Sequence, residues 1–251
     1  MDQAAIDKAA ALFVAARHGG APIDRLPPEC RPASGRDALA IQDATVRKLG
    51  EKIAAWKVAA PIDGVLMRGA ILQSRMFNSP AHVPARLVPL LGVEAEIAFR
   101  FDAGLPERDR DYTYAEVADA AVALAAIEIV DTRFRSYRDT PLLDRSADCI
   151  SNGGFVQGAP RKDWRQVDLT KIEVTLLVDD AVVVQRAGGH AAGDPLLPAI
   201  ALANDLRRSG GLPRGIVVTT GTYTGMNFVK PGQSVTAQFA GFDAVELRFT
   251  A

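Results

Sequence analysis

Two carboxylates stand two residues apart in Gly92-Val-Glu-Ala-Glu-Ile-Ala-Phe-Arg-Phe101, an otherwise apolar and alternating stretch. Strand side chains alternate between faces, so Glu94 and Glu96 project from one side while Val93, Ala95, Ile97, Phe99 and Phe101 line the other. Taken alone, such a pair is also what the wet face of an antiparallel sheet carries. A third acid shifts the balance. Ala126-Ile-Glu-Ile-Val-Asp-Thr-Arg133 sets Glu128 in a run of Ile and Val that reads as a buried strand. Buried acids are generally paired, neutralised or bound to metal. Three carboxylates on strands, with no matching Cys or His cluster, suit a hard divalent ion, Mg²⁺ or Mn²⁺.

The elements that must hold these acids are legible around them. From about residue 53 the chain consists of short β-branched runs broken by Gly, Pro and Asp, with helices expected only around 114–125 and 195–209. Ile172–Val178 and Ala181–Arg186 flank Asp179-Asp180 and read as a hairpin. Ile216–Thr220, Ser234–Phe239 and Ala244–Phe249 are further strands, the last two joined by Ala240-Gly-Phe-Asp243. The fold class expected is α+β, with a mixed sheet curled into a roll or barrel.

Ahead of this body the chain is helical. Ile6, Ala9, Ala10, Phe13 and Val14 recur at helical spacing, and Ser34-Gly-Arg-Asp37 has the form of a capping box opening a second helix that stops at Gly50. Leu26-Pro-Pro-Glu-Cys-Arg-Pro32 between them is too rich in proline for regular structure. The organisation expected is an N-terminal helical cap over 1–52 and a β-rich, metal-binding body over 53–251, together one structural unit.

Composition excludes several classes. A formal net charge of -1 over 251 residues makes no electrostatic case for nucleic acid or an anionic membrane. No apolar run approaches the roughly 18 residues of a membrane span, and the N-terminus lacks the basic start and apolar core of a signal peptide. A cytoplasmic location is expected. Cys30 and Cys149 read as free thiols, and His18, His82 and His190 are isolated in sequence. With no Gly-x-Ser-x-Gly elbow and no clustered His, covalent acyl-enzyme hydrolysis is disfavoured.

Five segments in order then resemble one family. Ala55-Trp-Lys-Val-Ala59, Gly92 to Phe99, Ile127-Glu-Ile-Val-Asp-Thr-Arg133, Gly153-Gly-Phe-Val156 and Val218-Thr-Thr-Gly-Thr-Tyr-Thr-Gly225 follow the order and spacing of 2-keto-4-pentenoate hydratases. These belong, with the 4-oxalocrotonate decarboxylases, to the fumarylacetoacetate hydrolase superfamily, and the resemblance spans nearly the whole chain. It implies that Glu94, Glu96 and Glu128 are the metal ligands and that the ion, Mg²⁺ or Mn²⁺, holds an α-keto acid and stabilises its enolate.

The same resemblance implies a catalytic role for Lys57, where partial burial between Trp56 and Val58 is expected to lower its pKa. It places Ser151, a second catalytic candidate, and Asn152 in a loop where a hydroxyl meets the substrate carboxylate; the alternative for both is an ordinary turn. In Thr219-Thr-Gly-Thr-Tyr-Thr-Gly225, the glycines allow backbone N–H groups to approach an anion, and Thr220 and Thr222 add hydroxyl donors. Asp131 and Arg133 are candidates to orient Glu128 from behind.

One segment departs from the family. The hydratases carry an acid before a methionine where this chain has Ser74-Arg75-Met76. Neither residue replaces a carboxylate as a base. Arg75 pointing inward would instead pair with a second substrate carboxylate. The leading expectation is hydration of a 2-hydroxy-2,4-dienoate to a 4-hydroxy-2-oxo acid. Decarboxylation of a 4-oxalocrotonate-type diacid, or a catalytically silent paralogue acting as an assembly partner, are the alternatives; C–C bond hydrolysis is weaker, for want of a water-activating base. Homo-oligomers, and a complex with a pathway decarboxylase or hydratase, are what the resemblance implies about partners.

Overall fold

The computed structural model describes residues 1–251 and begins with two helices, α1 (Gln3–Arg17) and α2 (Gly35–Leu49). The hydroxyl of Ser34 accepts the N–H of Asp37 at 3.2 Å and starts α2, and Gly50 ends it at φ 66°. Between the helices only Pro28–Cys30 forms a single 3₁₀ turn. The strands β1 (Ile53–Ile62), β2 (Val65–Leu72), β3 (Met76–Asn78), β4 (Ala81–Pro84) and β5 (Gly92–Phe101) follow, then α3 (Tyr114–Ala120) and β6 (Ala121–Val130). Next come α4 (Leu142–Ala147), β7 (Asn152–Arg161), β8 (Glu173–Val178), β9 (Ala181–Ala187) and α5 (Leu196–Leu206). The chain closes with β10 (Val217–Thr222), β11 (Asn227–Phe228), β12 (Ser234–Phe239) and β13 (Val245–Thr250).

The strands form two sheets. One, of 8 strands, runs β2-β1-β10-β5-β6-β7-β3 with β11 added against β5; the other, of 5, runs β4-β13-β12-β8-β9. The main core lies on the odd-numbered face of β5, where Val93, Ala95, Ile97, Phe99 and Phe101 meet Val235 and Ala237 of β12, Val245, Leu247 and Phe249 of β13, and Leu196 and Leu202 of α5. Each large side chain fully buried there contributes roughly 1.5–3 kcal/mol of apolar transfer. That is the face the alternation of β5 assigned to the interior.

Two expectations about helices are corrected. The segment 114–125 is helical only to Ala120, and Ala121–Val130 is a strand paired along its whole length with β5. Its alanines favour helix by propensity, but the register from Phe101↔Ala121 to Gly92↔Val130 satisfies the backbone on one side, and both faces are buried. A short helix, α4, also lies outside the two helices expected in the body.

The N-terminal helices share their core with the rest of the chain. Phe13 of α1 and Ile41 of α2 pack in one cluster with Met67 of β2, Phe134 and Ala147 of α4. Phe13 meets Phe134 edge-on at a centroid distance of 5.6 Å. No helix is long and apolar enough to cross a membrane. Cys30 and Cys149 are both buried free thiols.

Candidate functional site

Five adjacent strands of the larger sheet each supply part of one polar cluster. In sheet order, β1 brings Lys57, β10 brings Thr219 and Gly221, β5 brings Glu94 and Glu96, β6 brings Glu128 and β7 brings Asn152. Register explains the convergence: Lys57 pairs with Thr219, Thr222 with Glu96, and Glu94 with Glu128. Further along the same face Ala98, Leu124, Ala126 and Phe155 form a dry apolar cluster that closes the floor.

Glu94, Glu96 and Glu128 each present a carboxylate oxygen within 4.8 Å of the others. Glu96 and Glu128 are fully buried, and the Glu94 side chain is 14% exposed. The Lys57 ammonium reaches into the group, 2.8 Å from Glu128 and 3.8 Å from Glu94. Three carboxylates against one ammonium leave two negative charges uncompensated in a desolvated site, which is costly unless protons or a divalent cation neutralise them. Burial, together with the charges of neighbouring acids, raises the pKa of Glu94 and pushes that of Glu96 well above the usual carboxylate range. Glu96 Oε1 is buried with no hydrogen-bond partner. An all-oxygen, doubly negative set with an orphaned buried lone pair fits Mg²⁺ or Mn²⁺.

The lysine departs from expectation. Burial would lower the pKa of Lys57, but Glu128, Glu94 and Glu96 together outweigh it and raise the value above that of an ordinary lysine. Without a cation the residue is a charged donor held by the acids.

The ligands are held by a second layer. Glu96 Oε2 accepts the hydroxyl of Thr219 and the N–H of Gly221, the latter at 3.3 Å. A register irregularity between Thr219 and Thr222 creates this arrangement, with Gly221 at φ 122°. Thr220 and Thr222, the expected donors, instead turn their hydroxyls to the strand carbonyls of Ile97 at 3.3 Å and Ala95 at 3.4 Å. Sequence reasoning missed Thr219, whose face is set by the regular register with Lys57 and Ala98 ahead of the irregularity, a pairing that nothing within the segment itself reports.

Glu128 Oε1 accepts from Lys57 at 2.9 Å and from Asn152 Nδ2 at 3.1 Å. Arg133 supports Asn152, donating to its carbonyl at 2.9 Å, and is locked by Asp148 at 2.6 Å. Asp131 accepts the N–H of Leu90 at 3.0 Å and so ties the segment before β5 to the end of β6. Both therefore act on the residues around Glu128, and neither contacts its carboxylate.

Ser151 is not on an ordinary turn. Cys149, Ile150 and Ser151 have φ values of 52°, 52° and 56°, three consecutive non-glycine residues in the left-handed region. Such backbone costs roughly 1–2 kcal/mol per residue and persists only where its surroundings impose it. Gly69 makes room for it: a Cβ there would lie 2.5 Å from the Cys149 carbonyl oxygen. The turn leaves Ser151 Oγ buried without a partner, beside Asn152. A held, unsatisfied hydroxyl is suited to an incoming acceptor.

Arg75 is not in the carboxylate cluster. It lines a cleft of about 470 Å³ between the end of α1 and the body, together with Arg17, Arg86, Asp131, Arg133 and Gly153. None of Lys57, Glu94, Glu96, Glu128 and Asn152 lines that cleft.

The curled sheet with its helical N-terminal part is the fold of the fumarylacetoacetate hydrolase superfamily. The structure of 4-oxalocrotonate decarboxylase from Pseudomonas putida G7, complexed with magnesium and adipate, matches with a TM-score of 0.86 over 99% of this chain and 98% of that one, at 22% identity. No protein-family model matches the chain. In sequence, the 2-keto-4-pentenoate hydratase of Burkholderia vietnamiensis is 32% identical over 99% of both proteins, and that of Paraburkholderia phymatum is 34% identical over 72% of this chain and 69% of the other. The chain belongs to the 2-keto-4-pentenoate hydratase family.

Proposed function

We propose that the protein is a hydro-lyase that adds water to a 2-hydroxy-2,4-dienoate to give a 4-hydroxy-2-oxo acid. The observation that carries this reading is the buried cluster of Glu94, Glu96 and Glu128 around Lys57, in a chain similar over 99% of its length to a protein named 2-keto-4-pentenoate hydratase. Glu94, Glu96 and Glu128 would hold Mg²⁺ or Mn²⁺, which when bound supplies Lewis-acid stabilisation of the negative charge on a 2-oxo acid. Ser151 Oγ, Asn152 and the Lys57 ammonium are the donors that orient the substrate's oxygens. Lys57, which the neighbouring acids hold in its charged form, would give a proton to the terminal carbon of the dienol and take up the proton of the 2-hydroxyl in return, so that the tautomerisation to the unsaturated keto acid balances. Conjugate addition then places the hydroxyl of water on the chain and a proton on the adjacent carbon, so that no redox partner is needed. The buried apolar floor of Ala98, Leu124 and Phe155 keeps bulk water from that side.

In this reading residues 1–52 are a cap and 53–251 the metal-binding body, one cooperative unit because their cores are shared. Decarboxylation of a 4-oxalocrotonate-type diacid is the second reading, favoured by Arg75 at the position where hydratases carry an acid and by the likeness in fold to the decarboxylase. A homo-oligomer and a complex with a partner enzyme of the same pathway belong to either reading.

The test is an ultraviolet assay of the Mg²⁺-loaded protein with freshly generated 2-hydroxypenta-2,4-dienoate and its diacid counterpart, with products identified by NMR in deuterated water. Metal-dependent formation of a 4-hydroxy-2-oxo acid is expected. Release of carbon dioxide from the diacid without hydration would establish the second reading, and consumption of neither would sink both. Glu94→Gln and Glu128→Gln should each weaken Mn²⁺ binding at least tenfold, since a hard-cation site depends on ligand charge.

A further inference from the structure

Glu96 divides its two oxygens. Oε2 accepts the hydroxyl of Thr219 and, at 3.3 Å, the N–H of Gly221, whereas Oε1 is buried with no partner. A carboxylate is rigid, so the bonds to Oε2 decide where Oε1 points. Oε1 is the oxygen left over for an ion.

The Gly221 N–H is one end of a planar peptide group whose other end is the Thr220 carbonyl. That carbonyl is held by His190, a residue 30 positions away, whose Nε2 lies at 3.0 Å. Regular pairing does not reach this peptide: β10 is in register with β1 only as far as Thr219, and its pairing with β5 is interrupted between Thr219 and Thr222. The bonds at its two ends are what orient it. Gly221 has φ 122°, and a Cβ there would stand 3.3 Å from His190 Nε2, so the imidazole sits directly against the backbone it bonds.

The ring itself is fixed. His190 is buried on the connection between β9 and α5, and the N–H of Ala192 donates to its Nδ1 at 3.2 Å, which puts the ring proton on Nε2 and aims it at Thr220. Tyr223 packs against it at a centroid distance of 5.2 Å and is anchored in turn by its hydroxyl, 2.9 Å from the Leu169 carbonyl. A carbonyl that accepts a hydrogen bond makes the N–H of its own peptide a stronger donor, by roughly 10–30% per bond in a chain. The Nε2–H of His190, the Thr220–Gly221 peptide and Glu96 Oε2 form such a chain.

We infer that His190 is a positioning residue for Glu96, acting through the single peptide between Thr220 and Gly221 and making no hydrogen bond of its own to the cluster's carboxylates. This rests on the reading of Glu96 as a metal ligand. It gives the connection between β9 and α5, which supplies no residue to the cluster, a direct hold on the geometry of the site.

The test is Mn²⁺ binding to the metal-stripped full-length protein, followed by the electron paramagnetic resonance of the free ion. His190→Asn puts its amide where Nδ1 now lies, short of the Thr220 carbonyl, and His190→Gln puts it where Nε2 lies. His190→Asn should weaken Mn²⁺ binding roughly tenfold, the low end of what is lost with a group behind a metal ligand, and His190→Gln should keep most of the affinity. Should His190→Asn fold poorly, His190→Leu, which also lacks a donor at that place, serves the same comparison. Tyr223→Phe removes the bond to Leu169 from the same core, so it should lower the melting temperature and leave Mn²⁺ affinity unchanged. Parental affinity in His190→Asn overturns the inference. Equal losses in His190→Asn and His190→Gln also overturn it, by putting the effect in the bulk of the ring, and so does an equal loss in Tyr223→Phe, which would mean general loosening. Glu96→Gln separates this inference from the proposed site, because it should lose at least tenfold in affinity if Glu96 is a ligand. Unchanged affinity there rejects Glu96 as a ligand and the His190 role with it; a loss there beside parental affinity in His190→Asn rejects the His190 role alone.

Discussion

The Lys57 ammonium lies 2.8 Å from the carboxylate of Glu128, a residue 71 positions away in sequence and separated in the sheet by the two strands β10 and β5. It is the one cation inside a cluster of three acids. Removing it as Lys57→Met leaves those acids with no fixed counter-charge. The metal-free variant should lose about 3–5 kcal/mol of stability, the cost of stranding a buried charge. Mn²⁺ should restore much of that loss, and turnover should fall roughly 10²- to 10⁴-fold as a proton-moving group disappears. Denaturant melts with and without Mn²⁺, beside the dienoate assay, check this. A variant as stable and active as the parent would show Lys57 to be a bystander.

Thr219→Val keeps the shape of the side chain and removes the hydroxyl that Glu96 accepts. With Glu96 Oε1 already lacking a partner, the substitution leaves the carboxylate only the Gly221 N–H. A loss of about 1–3 kcal/mol is expected from the unmet acceptor. Mn²⁺ affinity should drop roughly 10- to 100-fold, as is usual when a group behind a metal ligand is removed. Thr222→Val, whose hydroxyl sits at 3.4 Å from a strand carbonyl, should have a smaller effect on both. Mn²⁺ titration of the two variants decides; equal losses would mean that the strand, and not the Thr219 hydroxyl, sets the affinity.

Ser151→Ala separates binding from stability. The hydroxyl is buried but bonds to nothing, so its removal should change stability by no more than about 0.5 kcal/mol. If Ser151 meets the substrate carboxylate, KM should rise roughly tenfold, the worth of one hydrogen bond to a charged group. Thermal melts and steady-state kinetics on the same preparation are sufficient. A destabilised variant with unaltered KM would return Ser151 to a structural role in the left-handed turn.

The carboxylate cluster was legible because alternation and register are local: Glu94, Ala95 and Glu96 declare their faces, and Glu128 stands out in an apolar run. The strained turn was half legible, since Gly153-Gly154 drew attention to Ser151 and Asn152, but nothing local reports three positive φ values in Cys149, Ile150 and Ser151. Thr219 rather than Thr220 reaches Glu96 because the register with Lys57 and Ala98 turns it to that face, a long-range pairing with no local signature. The run Ala120–Ala126 misled because alanine's helix propensity is overridden by β5 alongside it. Arg75 stood out in sequence, but nothing local placed it beside Arg17 of α1 in a cleft apart from the acids.

His190 supplies a pH dependence that the site inherits through the bulge. Its Nε2–H donates to the Thr220 carbonyl at 3.0 Å, and Nδ1 accepts the N–H of Ala192 at 3.2 Å, so the neutral ring uses both nitrogens. A second proton on Nδ1 would face the Ala192 donor. Burial lowers the pKa, and the Thr220 carbonyl and Asp194 only partly oppose it. The folded protein therefore binds fewer protons at this ring than the unfolded chain. Its contribution to stability is fully present above the unfolded value of about 6.5 and is lost as pH falls towards the lower folded value. The slope due to one such group cannot exceed about 1.4 kcal/mol per pH unit. Denaturant unfolding between pH 5 and 7.5, compared with His190→Gln, should show a shallower dependence in the variant, which keeps a donor for Thr220 but does not titrate. Parallel curves would assign the acid sensitivity to other groups, and a variant that also loses Mn²⁺ affinity would show that the ring holds Thr219 and Gly221 on Glu96.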